Sequence, residues 1–151
     1  MNNDYKIILP KNFTNEHKKY LEKFKSHVSA ASEFGFMLGA KDINSKHIIA
    51  TNAYANIVGL KHGNDVEARF DKDMPCEGTA QYAENYVEED LSLINSLDVN
   101  KNISILNIHN YNDGLKARIF KKRLLFHKDS QSILGTIYSG HDVELDRKSV
   151  V

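Results

Sequence analysis

Asp42-Ile43-Asn44-Ser45-Lys46-His47-Ile48-Ile49-Ala50-Thr51-Asn52-Ala53-Tyr54-Ala55 is the stretch on which the reading of the fold turns. Its first five residues form a turn-type cluster between two short apolar runs, Phe34 to Lys41 and His47 to Thr51. Two such runs around a polar turn read as a β-hairpin. Asn52 follows the second run directly and has the side chain of a helix N-cap. The short helix it opens, Ala53 to Val58, is stopped by Gly59.

On the N-terminal side, Thr14 to about Ser29 has helical spacing. Thr14 is placed as N-cap, Phe13 before it as half of a hydrophobic staple, and Tyr20, Leu21, Phe24 and Val28 fall on one face. On the C-terminal side, Ala83, Val87, Leu91, Ile94 and Leu97 form the apolar stripe of a longer helix from Thr79, with Glu84, Glu88, Glu89 and Asp90 expected to face water. Ile103–Tyr111, Leu115–His127 and Ser132–Val143 then read as strands. Asn112-Asp113-Gly114 supplies a strong hairpin turn, since Asp-Gly tolerates positive φ. Two strands, helices, then three strands predict an α+β fold, one antiparallel sheet of five strands with the helices on one face.

These segments resemble the PAS family of sensor domains over about residues 31–145. Asn52-Ala53-Tyr54-Ala55 is similar to the "N-x-x-A" step leading from the family's opening hairpin into its first short helix. Leu125 to Ile137 resembles its fourth-to-fifth strand hairpin, and Asp142-Val143 stands where the family has its "D-I-T" exit motif. Leu124, Gln131 and Glu144 depart from the pattern, where the family often has Pro, Gly and Thr. Asp71-Lys72-Asp73-Met74-Pro75-Cys76, with Tyr82 and Asp90, is similar to the PAS domains at the N-termini of LuxR-type helix-turn-helix regulators and some histidine kinases. The expected division is a tail and amphipathic helix at 1–30, the PAS domain at 31–145 and a tail or linker start at 146–151.

The chain has 151 residues, a length that suits one domain. Lys+Arg and Asp+Glu both number 20, and this zero net charge argues against direct nucleic-acid binding. The zero is a cancellation. Residues 65–98 hold ten acidic and two basic residues, whereas 116–128 hold six basic and no acidic ones. Two solvated faces, or a bipolar surface that orients a partner, both fit this pattern. No apolar stretch is long enough to span a bilayer, and the first residues do not read as a signal peptide, so a cytoplasmic domain without membrane contact is expected.

Candidate sites follow from the fold. No two of the seven histidines stand as H-x-H or H-x-x-x-H, so no metal site is read. In the family comparison, haem is not expected because the long helix lacks His. Flavin photochemistry is not expected because Met74-Pro75-Cys76-Glu77-Gly78-Thr79 does not match the light-sensing cysteine motif. The cofactor is unknown. Candidate walls of a ligand cavity are Met37, Tyr54, Ile57, Met74, Tyr86, Ile105, Ile119 and Ile137, with His109, Arg118 and Ser139 as polar anchors. Plain core filling is the alternative, and a one-residue slip would swap the two faces. Tyr20, Leu21, Phe24 and Val28 are candidate dimer contacts, the alternative being that they pack on their own sheet. Asp142 and Val143 are candidates for signal exit.

No nucleophile elbow, phosphate loop or dinucleotide fingerprint occurs, so no catalytic residues are assigned. The function expected is that of a bacterial sensory and interaction domain in signal transduction or transcription regulation. It would bind an unknown small molecule, pair with a second copy and act through an output module not recognised in these residues. A ligand-free dimerisation module and a small α+β enzyme are the alternatives.

Overall fold

The structure, a computed structural model, describes residues 4–144. The expected tail at 146–151 lies outside the described residues. Strand β1 (Lys6–Ile7) is followed by helix α1 (Asn15–Glu33), strands β2 (Met37–Asp42) and β3 (His47–Ala50), helices α2 (Asn52–Ile57), α3 (Glu77–Gln81) and α4 (Ala83–Ser96), and strands β4 (Ile103–Tyr111), β5 (Gly114–His127) and β6 (Ser132–Asp142). The sheet runs β3-β2-β6-β5-β4, all antiparallel, and β1 adds a parallel pairing to the start of β6. This is the expected α+β architecture.

Consecutive residues separate the two faces of the sheet. Leu124 and Ile133 pack with Leu93 and Ile94 of α4, whereas Leu125 and Leu134 pack with Leu21 of α1 and Ala40 of β2. Period-2 alternation thus puts α3 and α4 over the inner face and α1 over the outer face. Phe120 and Tyr138 join Tyr54, Ala55, Ile57 and Val58 of α2 in the inner core. Glycine makes two close approaches possible. A Cβ at Gly78 would strike the Asn110 carbonyl, and one at Gly39 would strike the Tyr138 ring.

Several sequence expectations need correction. The N-cap of α2 is Thr51, whose Oγ1 accepts from the amides of Tyr54 and Leu38; Asn52 Oδ1 instead accepts from Gly63 N–H at 2.8 Å. The helix expected from Thr79 is two helices, parted at Tyr82. Its buried face is Ala83, Asp90, Leu93 and Ile94, so Leu91 is exposed and Asp90 is fully buried, the reverse of the expectation. The stripe is rotated because the inner face beneath α4 carries lysines, which only a carboxylate can compensate. The turn before β6 needs left-handed backbone and obtains it from Gln131 (φ 53) instead of glycine. A non-glycine residue there costs about 1 kcal/mol.

The stripe Tyr20, Leu21, Phe24 and Val28 packs on its own sheet. Leu21 and Val28 are buried within the chain, and Tyr20 and Phe24 are half-buried beside them. Each buried aliphatic side chain there contributes about 2 kcal/mol, which is why the helix spends this face on its own domain.

Candidate functional site

The inner face carries a network of buried charges. Lys41 on β2 donates from Nζ to Asp71 Oδ2 at 2.9 Å and to Asp90 Oδ2 at 2.8 Å. Asp71 comes from a 3₁₀ turn, Asp71–Asp73, and Asp90 from α4. Lys122 on β5 reaches Asp90 Oδ1 at 2.9 Å and Glu89 at 3.1 Å, and Ser45 Oγ donates to Asp90 at 2.9 Å. His47 on β3 lies between the Asp71 carboxylate, 2.7 Å from Nε2, and the Tyr138 hydroxyl, 3.0 Å from Nδ1. A carboxylate only accepts, so Nε2–H donates to Asp71 and Nδ1 accepts from Tyr138.

Burial opposes the charge on Lys41, but Asp71 and Asp90 outweigh it and raise its pKa. Burial likewise works against ionised Asp71 and Asp90, and the lysines and His47 overcome it, holding Asp71 below the usual carboxylate range and lowering Asp90. For His47 burial wins over the Asp71 hydrogen bond and lowers its pKa. Unpaired, any of these charges would cost several kcal/mol.

Beside the network is a cavity of about 30 Å³. It is lined by Lys41, Tyr54, Val58, Asp71, Thr79, Tyr86, Asn107, Tyr111, Phe120, Lys122 and Tyr138. The hydroxyls of Thr79 and Tyr111 are buried with no partner at hydrogen-bond geometry, and the Asn107 side chain lies close enough to Tyr111 to act on its hydroxyl. An unpaired buried polar group costs about 1–3 kcal/mol. Burial, opposed by Arg118, pushes the Tyr111 hydroxyl up to about 12, so it remains a donor. The cavity thus combines aromatic walls with buried hydroxyls that lack geometric hydrogen-bond partners.

No family model matches the sequence, and no curated protein matches it. Solved structures do. Over 84% of this chain, VqmA of Vibrio cholerae, described with LuxR-type receptors, is 30% identical with a TM-score of 0.68. A phage VqmA in complex with DPO is 28% identical over 83% of this chain, with a TM-score of 0.72. The PAS domain of Bordetella pertussis BvgS is 10% identical, covers 87% of this chain and 91% of its own, and has a TM-score of 0.66. The chain folds as a PAS domain. It resembles the sensors of LuxR-type receptors and spans about half the length of the VqmA chains, 51% and 54%.

Within the PAS domain the expected wall residues scatter. Tyr54 and Tyr86 line the cavity. Ile57 and Met74 are buried in the adjoining core, with Met37 packed against it. Ile105 and His109 share the β4 face of Asn107 and Tyr111 without lining the cavity. His109 instead stacks on Tyr82, 4.0 Å between centroids, and its Nδ1 lies 2.8 Å from the Tyr86 hydroxyl. Ile119, Ile137 and Ser139 lie on the outer face. Ile119 pairs across from exposed Leu106, Ile137 packs under α1, and Ser139 pairs across from Leu38 and Lys121. The alternation of β5 and β6 runs opposite to the phase expected for these three.

Arg118 is buried on the inner face. It holds Asp113 at 2.5 Å and Asp142 at 2.7 Å, and its guanidinium lies 4.5 Å from the centre of the Tyr111 ring. Val143 N–H donates to Ala117 at 2.9 Å. Cys76 is buried and its thiol donates to the Asn110 carbonyl at 3.3 Å. Among the described residues no three His, Cys, Asp or Glu side chains gather as a metal site, and no helix is long and apolar enough to cross a membrane.

Sequence reasoning missed Lys41, Val58, Asp71, Thr79, Asn107, Tyr111, Phe120, Lys122 and Tyr138. A usable signal was present in Lys41 and Lys122, which are charged residues inside apolar strand runs. Asp90 stands seven residues from Ala83 and so shares its helix face.

Proposed function

We propose that this PAS domain is the sensor of a LuxR-type transcriptional receptor in the cytoplasm and binds a small molecule in its inner cavity. The observation that carries the reading is the pair of unpartnered hydroxyls, Thr79 and Tyr111, aimed into an aromatic, charge-balanced cavity. DPO, the ligand named for the related VqmA, is the first candidate. Small-molecule sites usually run to about 300–1,000 Å³, so the ring side chains have to move outward to admit a ligand. Binding would therefore select an expanded minor state. Tyr111 would carry that change to Arg118, and Arg118 to Asp142 at the end of β6, the expected exit.

The VqmA comparison, in which a dimer is described, supports pairing with a second copy. With Leu21 and Val28 already buried, the surface offered for pairing is the uncovered outer face at Leu106, Ile108 and Leu115. DNA contact would belong to an output module and not to this domain. A ligand-free dimerisation module is the second reading, and the small cavity favours it. Thermal unfolding with and without DPO separates the two. A saturable rise in Tm supports the sensor, and no rise with DPO or with a screened small-molecule library supports the module.

A further inference from the structure

The N-terminal end of α1 is fastened to the sheet by a histidine whose proton position is dictated by its neighbours. His17 is buried. Its Nδ1 accepts from Thr14 N–H at 3.1 Å while Thr14 Oγ1 accepts from His17 N–H at 3.2 Å, closing a reciprocal capping box. Its Nε2 lies 3.0 Å from Ser130 Oγ and 3.2 Å from Ser132 Oγ, at the β5–β6 turn. A neutral imidazole whose Nδ1 accepts carries its proton on Nε2. One ring therefore caps the helix through one nitrogen and docks it to the hairpin through the other. The third helical position of such a box ordinarily holds Glu or Gln. Histidine substitutes for them only while neutral. A second proton on Nδ1 would set an N–H against the Thr14 N–H and break the box.

We propose that His17 is an acid-sensitive latch, whose protonation releases the start of α1 from the β5–β6 hairpin and uncovers the outer-face residues Ala40, Leu125 and Leu134 beneath Leu21. The groups around it act in both directions. His127 of β5 lies with its ring centroid 5.4 Å away, its Nδ1 is 2.5 Å from the same Ser130 Oγ, and the Tyr20 ring centroid is 5.1 Å from it. Lys6 of β1 and Glu16 of α1 line the same cleft. Positive charge on His127 disfavours a further one on His17, and Glu16 favours it. Burial is the largest influence and lowers the pKa of His17, with His127 adding to it and Glu16 opposing. A group depressed in the docked state binds more protons once released. Docking is therefore at full strength above the ordinary value of 6.5 and weakens as pH falls below it toward the docked-state value.

Hydrogen exchange of the α1 amides between Leu21 and Val28, corrected for intrinsic rates from pH 7.5 to 5, tests this on the whole chain. The population of opened α1 should rise as pH falls, by up to about tenfold per pH unit, the limit for one proton. His17→Gln keeps an acceptor and a donor at the same position without titrating, and should flatten the response. An unchanged acid response in that variant, or a flat wild type, overturns the latch. Imidazole ¹⁵N shifts of the wild-type protein give a second reading that needs no variant. At pH 7.5 they should show His17 protonated on Nε2, and protonation on Nδ1 would overturn the proposal.

Discussion

The two faces of one sheet in this PAS domain are built by opposite rules. Under α1, the outer face is covered by ordinary apolar packing of Leu21 on Ala40, Leu125 and Leu134. Under α3 and α4, the inner face buries two lysines, two aspartates, a histidine and several hydroxyls. Replacing a buried ion pair with apolar residues is often neutral or stabilising, so the packing beneath α1 is the kind that stability favours. The inner face carries an arrangement that stability alone does not select, and three of its buried hydroxyls, those of Thr79, Tyr111 and Thr136, lack partners at hydrogen-bond geometry. The contrast is what motivates the proposal that the ligand site lies on the inner face.

The largest effect should come from breaking the inner network. Lys41→Met leaves Asp71 and Asp90 short of a buried counter-charge and should cost about 3–5 kcal/mol in urea denaturation. The same network sets an acid limb. Asp71 and Asp90 titrate below their ordinary 3.8, so their contribution is complete above that pH and is lost as pH falls through the lowered values. Thermal unfolding between pH 5 and 2.5 should show the loss, and Asp71→Asn should blunt it. Next in size is the outer face. Leu125→Ala opens a cavity beneath α1 and should cost about 2–4 kcal/mol without altering ligand binding, and an effect above that of Lys41→Met would erase the contrast. Tyr111→Phe removes an unpartnered hydroxyl and should leave stability unchanged or raise it by up to about 1 kcal/mol while weakening DPO binding. A marked loss of stability would mean that this hydroxyl is already satisfied. Smallest is Leu106→Ser on the bare outer face, expected within about 0.5 kcal/mol of wild type, with any change confined to self-association measured by sedimentation.

Much of the fold was legible because it rests on local chemistry. The Asp113-Gly114 turn, the spans of β4 to β6 and the Thr14 cap are short-range signals, and all three stand in the structure at or within a residue of where the sequence places them. The site was far less legible, because it is a product of pairing. Asp90 reads as a wet helix residue until Lys41 and Lys122, 49 and 32 residues away in sequence, are placed beneath it. The acidic run at 65–98 and the basic run at 116–128 read as two solvated faces or as a bipolar surface that orients a partner. Their members Asp71, Asp90, Arg118 and Lys122 are buried, and Asp90 with Lys122 joins one run to the other. Ile119 and Ile137 were misplaced by a single step of strand phase, which no local signal fixes. The amphipathic stripe of α1 was read correctly, but hydrophobicity alone does not say whether a helix turns its apolar face to its own sheet or to a partner.

The most direct test of an inner-face site is an isotope-filtered nuclear Overhauser experiment on the labelled protein saturated with DPO. Contacts from the ligand to the rings of Tyr54, Tyr111 and Phe120 are expected. Contacts confined to Leu106, Ile108 and Leu115, or the absence of any bound ligand, would contradict it.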